Sequence, residues 1–239
     1  PISDLFNRVS WQLSSRTGVA VYAWMPVLAF ELGSDVPRVQ RLVPQNGQLS
    51  VDDKQYRRLS PFSPVARQRI GEIYEDLAAH ATFKGILFHD DALLSDFEDA
   101  GPDAAAAYRQ AGFADSVAAI RQDPQAMARW TRFKSRALIE FTQSLTERVR
   151  AIRGPQVQTA RNIYAMPVLD PASEAWFGQN LADFLQAYDW VAPMAMPLME
   201  NVPRADSGRW LDQLVGKVAA YPGALDKTVF ELQAEIGRA

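Results

Sequence analysis

Five apolar runs punctuate the chain, each trailed by a longer stretch with helical periodicity. The runs are GVAVYAWMPVLAF (18–30), GILFHDD (85–91), QTARNIYAMPVLD (158–170), YDWVAPMAMPLME (188–200) and KTVFELQA (227–234). Their near-continuous apolar character predicts strands covered on both faces, as in a parallel sheet. Between them, SPVARQRIGEIYEDLAAH (63–80) opens on a Ser-Pro start signal and brings Val65, Ile70, Ile73, Tyr74 and Leu77 towards one face. PQAMARWTRFKSRALIEFTQSLTERVRAI (124–152) reads as a longer helix capped by Asp123. SEAWFGQNLADFLQAY (173–188) and SGRWLDQLVGKVAAY (207–221) read as shorter ones with Ser at their caps. Strand followed by helix, repeated, demands crossover connections and therefore an α/β architecture.

Two α/β folds fit this order. A doubly wound sheet would carry a glycine-rich phosphate turn after a strand, and neither GxGxxG nor GxxxxGK[ST] occurs. A (β/α)8, TIM-like barrel needs eight strands, of which five are visible. The expectation is a single barrel domain over residues 1–239, lacking terminal strands that would precede Pro1 and follow Ala239. At 239 residues and 48% hydrophobic content, the chain can bury a core of that size.

The net charge of −3 argues against a nucleic-acid binder, which usually shows a basic stripe. Arg129, Arg132, Lys134 and Arg136 do cluster, but their helical spacing predicts a solvated helix face. The absence of cysteine removes disulfides and thiolate metal sites. No apolar run reaches the length of a membrane span, and no signal peptide opens the sequence.

Acids gather where the runs end. Glu31 follows the first, Asp90 and Asp91 close the second, Asp170 the third and Glu200 the fourth, while the fifth contains Glu231. In a barrel all the C-terminal strand ends open onto the face that carries the active site. Carboxylates crowded there push one another's pKa values apart, so that one serves as acid while another stays ionised. Helix capping is the competing explanation. It suits Asp170, which precedes Pro171, but it covers only one of Asp90 and Asp91, and leaves His89 beside them unexplained.

A metal is not expected, nor a cofactor. Asp96 could join His89, Asp90 and Asp91, yet neighbouring strand residues point to opposite faces. With only two histidines in the chain, a zinc site would need a carboxylate majority. His89 reads as a structural histidine orienting Asp90 or Asp91, or as a base. Tyr56 and Trp176 sit among polar, loop-like neighbours. Flat rings beside carboxylates suit a sugar face, and a cationic amino sugar gains further from both. An acid pair with aromatic platforms points to glycoside hydrolysis.

Six blocks in order, LFNRVSWQL, VYAWMPVLAF, GILFHDDALLSD, RNIYAMPVL, SEAWFGQNLADFLQAYDWVAPMAMPLME and KTVFELQ, span nearly the whole chain. They closely resemble the C-terminal glycoside hydrolase domain of the PgaB-type poly-β-1,6-N-acetyl-D-glucosamine N-deacetylases. The resemblance implies a (β/α)8-type hydrolase, endo-acting on partially de-N-acetylated poly-β-1,6-N-acetylglucosamine, a biofilm polysaccharide. It implies a periplasmic, monomeric domain with a partner in polymer export and no nucleic-acid partner. It places Asp90 and Asp91 in the active-site groove, with Asp91 the expected general acid and Asp90 its partner. Tyr56, Asp96 and Trp176 would contact the glycan, as would, by their strand-end positions, Trp24, Asn162, Glu200, Glu231 and His89. The family's deacetylase centre, an Asp and two His on a metal, has no counterpart in this sequence, so no deacetylase activity is expected of it. The alternative role is a non-catalytic glycan-binding module that holds the polymer for deacetylation and export.

Overall fold

The computed structural model describes residues 3–51 and 56–233. Helix α1 (Ser3–Thr17) leads into β1 (Tyr22–Met25), a small hairpin of β2 (Arg41–Leu42) and β3 (Leu49–Ser50), then α2 (Pro64–His80) and β4 (Gly85–Phe88). Next come α3 (Pro102–Gln110), α4 (Val117–Ile120), α5 (Pro124–Arg153) and β5 (Gln158–Ile163). The chain ends through α6 (Ala165–Leu169), α7 (Glu174–Phe177), α8 (Leu181–Ala187), β6 (Trp190–Ala195), α9 (Ser207–Ala219) and β7 (Glu231–Leu232).

The sheet runs β1-β4-β5-β6-β7, every neighbouring pair parallel. Its order follows the chain without reversal, which is the winding of a (β/α) barrel; a doubly wound sheet reverses at a switch point. Five strands make a half-barrel. The predicted TIM-like barrel with strands missing is therefore the architecture of the described residues.

Alternation along each strand separates two layers. Ile86 and Phe88 point outward into the main core, where Phe88 packs near Tyr74 of α2 and Tyr188. Leu87, Ala160, Ala192 and Trp190 point inward and line a concavity of about 360 Å³. Gly85 is required on that inner side. A Cβ there would stand 2.3 Å from the Tyr22 ring and 2.6 Å from the Gln158 carbonyl.

The first run passes from strand into loop after Met25, because Pro26 cannot donate to the ladder. Other elements differ from expectation. The third run leaves the sheet at Ile163 and turns into α6. The helix expected over 173–188 is two, broken at Gly178, which adopts φ +62°. Asn180 then caps α8 by accepting from the Asp183 amide. Asp170 caps the short 3₁₀ turn that follows it, as the capping explanation required. Asp123 caps α5 as expected. Lys134 does not join a solvated face: it is buried on α5, with its ammonium over the Trp130 ring. The excursion after β4, carrying α3 and α4, builds a second small core of Ala104, Tyr108, Val117, Ile120 and Trp130.

Candidate active site

The turn that leaves β4, His89–Ala92, is fixed from two sides. Arg161 of β5 is buried and donates from Nη1 to the His89 carbonyl (2.7 Å) and from Nη2 to the Ala92 carbonyl (2.9 Å). Asp91 has 0% exposure and reaches across to the loop after β1. Its carboxylate accepts from the amides of Val27 (2.9 Å), Leu28 (2.6 Å) and Ala29 (2.6 Å). Tyr74 secures the same loop, its hydroxyl donating to the Pro26 carbonyl at 2.8 Å. Three consecutive backbone donors need a partner when buried, and Asp91 is that partner.

Asp90 behaves differently although it is the next residue. Its Oδ1 lies 2.8 Å from His89 Nδ1, and it accepts hydrogen bonds from the hydroxyls of Tyr164 and, at 3.4 Å, Tyr56. Burial pushes the Asp90 carboxyl up, but the bonds from His89 and Tyr164 prevail and hold it below the usual carboxylate value. His89 moves the opposite way. Burial disfavours its charged form, yet hydrogen bonds and charges from Asp90 and Asp91 lift its pKa to about 9. Burial and the Asp90 charge push the Tyr56 hydroxyl up to about 12, and burial and the bond to Asp90 raise Tyr164 further. Both phenols therefore stay protonated and keep donating.

A second carboxyl comes from β7. Burial raises the pKa of Glu231, a hydrogen bond with the Asn162 side chain opposes that rise, and the negative charge of Asp90 adds to it. Asn162 is buried and also accepts from Trp24 Nε1 at 3.0 Å. Trp24 is 60% exposed, with its ring centroid 4.9 Å from that of His89, while Tyr56 meets His89 edge-on at 5.3 Å. One connected cluster thus holds Trp24, Tyr56, His89, Asp90, Asn162 and Glu231, drawn from β1, the turn after β4, β5, β7 and the loop before α2.

The remaining candidates are placed as follows. Asp91 sits under the cluster as an anchor, 3.4 Å from His89 Nδ1, with both carboxylate oxygens engaged by backbone amides. Asp91, the residue expected from the resemblance as general acid, is fully buried here and bonded to three amides. Asp96 pairs with Arg121, whose guanidinium lies 3.6 Å from the centre of the Phe97 ring. Its neighbourhood is the buried network behind the turn, where Arg58 meets Glu98 at 3.0 Å and Lys134 donates to the carbonyls of Ser95 and Glu98. Trp176 is 55% exposed on α7. Glu200 is half-buried in the turn after β6, and burial raises its pKa. Glu31 is exposed and faces Arg38 at 3.3 Å.

Tyr164 and Arg161 are the site residues that sequence reasoning did not select. Tyr164 follows β5 directly, so its strand-end position was a usable signal. Arg161, an arginine inside an apolar run, was another, because a buried guanidinium demands partners. Among the described residues no group of three or more His, Cys, Asp or Glu side chains is arranged to hold a metal. No helix among them is long and apolar enough to cross a membrane.

Comparison with known proteins agrees with this architecture. Residues 2–238 match the family model described as GHL13, hypothetical glycosyl hydrolase family 13. The chain is 54% identical over 233 residues to the poly-beta-1,6-N-acetyl-D-glucosamine N-deacetylase of Escherichia coli (strain K12), covering 98% of this chain and 35% of that protein. The chain thus spans about a third of the length of the curated relatives it matches. The PgaB (BpsB) glycoside hydrolase domain from Bordetella bronchiseptica has a similar structure, with a TM-score of 0.87 at 49% identity. That likeness covers 97% of this chain and 65% of that one. A beta-galactosidase from the psychrophilic Marinomonas ef1 shares the fold, with a TM-score of 0.53 at 11% identity over 80% of this chain and 33% of that one. With almost its full length matched by the family model, the chain belongs to the glycosyl hydrolase family GHL13.

Proposed function

We propose that this domain cleaves partially de-N-acetylated poly-β-1,6-N-acetylglucosamine from within the polymer, in the periplasm. The observation that carries the chemistry is the opposite displacement of two carboxyls in one cluster. Asp90 is held below the usual range by His89 and Tyr164, while burial raises Glu231. Groups pushed apart in this way divide the acid and base roles of a glycosidase. Glu231 gives its proton to the departing glycosidic oxygen. Ionised Asp90 takes a proton from a water that bonds to the anomeric carbon, or bonds to that carbon itself, as the bond to the departing oxygen breaks, and Asn162, bonded to both Trp24 and Glu231, sets the acid's direction. The exposed rings of Trp24 and Trp176 offer stacking faces for sugar rings. A free amino group on the polymer is a cation, and the carboxylate-rich cluster attracts it.

The substrate class is supported by the relatives. The E. coli protein is named for poly-beta-1,6-N-acetyl-D-glucosamine, and the Bordetella domain for glycoside hydrolysis. Incubation of the full-length protein with the partially de-N-acetylated polymer, followed by mass spectrometry of the products, tests the proposal. Wild type shortens the polymer, and Asp90→Asn and Glu231→Gln each lower the rate by roughly 10²-fold or more. Intact polymer with wild type refutes it. Oligosaccharide binding without cleavage would instead identify a glycan-binding module.

A further inference from the structure

A cavity of about 840 Å³ lies on the helical side of the half-barrel, more than twice the 360 Å³ concavity inside the sheet. Its walls are Phe62, Arg67 of α2, and the face of α5 that carries Arg129, Arg132, Phe133 and Arg136. The three α5 arginines follow at intervals of three and four, which places them along one side of the helix. Glu140 is the single carboxylate among the lining residues.

The four arginines are not equally occupied. Arg132 meets Glu174 at 2.6 Å and Asp183 at 2.5 Å, so its charge is balanced from α7 and α8. Arg67 donates to the Pro61 carbonyl at 3.1 Å and lies 4.7 Å from the centre of the Phe141 ring. Arg129 and Arg136 are exposed, and neither has a carboxylate partner among the described residues. Four arginines, 67, 129, 132 and 136, against Glu140, Glu174 and Asp183 leave one positive charge in excess, carried by the unpaired Arg129 and Arg136 side. A concave surface concentrates such a field. Phe62 and Phe133, stacked within 6° at 6.2 Å, give it an apolar wall.

Guanidinium forks match a phosphate's oxygens bidentately, in a phosphodiester as in free phosphate. The polymer assigned to the catalytic cluster gains positive charge when de-N-acetylated, so this groove repels it. We propose that the groove between α2 and α5 is a separate binding site for a phosphate group, either free in solution or borne on a lipid headgroup.

Calorimetric titration of the full-length protein at low ionic strength, with sodium pyrophosphate and with phosphatidylglycerol vesicles, tests this. Phosphatidylcholine vesicles serve as the uncharged-surface control. Saturable binding is expected with at least one anionic probe, and which probe binds identifies the source. Arg129→Gln with Arg136→Gln should weaken it at least ten-fold without moving the thermal midpoint or polymer cleavage. Arg109→Gln with Lys217→Gln removes the same charge elsewhere and should leave binding within two-fold. Absence of binding to both anionic probes, or equal weakening by the two double variants, overturns the proposal.

Discussion

Replacing Asp91 by Asn separates anchoring from acid catalysis. The wild-type carboxylate, with no exposed surface, accepts from the amides of Val27, Leu28 and Ala29. Asparagine keeps one acceptor oxygen and turns an NH₂ donor towards amides that are themselves donors. With the amide oxygen at the Oδ2 position the Leu28 and Ala29 bonds persist but weaken to neutral ones of about 0.5–1.5 kcal/mol, and the Val27 bond to Oδ1 is lost. Bonds to a charged group contribute about 1.5–3 kcal/mol each, so the variant should lose about 3 kcal/mol or more. For a domain of this size that is a fall of roughly 6–12 °C in thermal midpoint. Asp90→Asn should behave oppositely. Its side chain can still bond the hydroxyls of Tyr164 and Tyr56 but gives up the charge facing His89, so its midpoint should fall by less than that of Asp91→Asn. Its polymer-cleaving rate should collapse. The assay is differential scanning calorimetry beside product sizing on the same preparations. An Asp91→Asn protein with the wild-type midpoint but no cleavage would refute the anchor assignment and restore Asp91 as the acid.

Three further outcomes follow from the same geometry. Tyr164→Phe removes a donor that depresses Asp90, so the acidic limb of the pH–rate profile should move upward, with a roughly ten-fold or greater loss of rate; an unmoved limb would exclude that bond from the mechanism. NMR titration should find His89 still protonated at neutral pH, with its midpoint near 9. Because that value lies above the ordinary 6.5, the stabilisation His89 gains is complete below about 6.5 and fades as pH rises through 9, and Asp90→Asn should bring the midpoint down. Lys134 is lowered to about 7 by burial, so between there and 10.5 the unfolded chain holds more protons than the folded one. Its contribution to stability therefore grows with rising pH across that window and is lost as pH falls towards 7. Lys134→Met should flatten this part of the profile measured against wild type.

The half-barrel was legible because its evidence is periodic: strands buried on both faces read as unbroken apolar runs, and amphipathic helices alternate with them. Strand ends were less so. Pro26 and Gly178 marked two boundaries locally, whereas the departure of Tyr164 and Ala165 from the third strand is a tertiary outcome. Helix α1 and the excursion carrying α3 and α4 were not predicted, although Gly101-Pro102 opens α3 and Ser116 caps α4. Tertiary packing likewise governs Lys134 and Asp96. A basic residue among arginines on a long helix reads as solvated, and only three-dimensional packing turns Lys134 inward onto the Ser95 and Glu98 carbonyls. Asp96 reads as one more acid of the turn until Arg121, from beyond α4, arrives beside it.

Sequence also constrains how the carboxylates can pair. A glycosidase acid pair must flank the scissile bond, with the two carboxyls roughly 5–9.5 Å apart across it. Two successive residues of one turn share a backbone and approach a substrate from the same side. A barrel solves this by drawing its catalytic groups from different strands. Asp90 therefore needed a partner from elsewhere on the arc, and among the strand-end acids only a few were available. Asp170 caps a 3₁₀ turn and Glu31 is exposed beside Arg38. Glu200 lies in a turn beyond β6. Glu231 is within β7 itself, bonded to Asn162 and sensing the Asp90 charge. The two aspartates of the strand end do separate things: Asp90 joins the cluster with His89 and Tyr164, and Asp91 fixes the loop into which Trp24's strand runs.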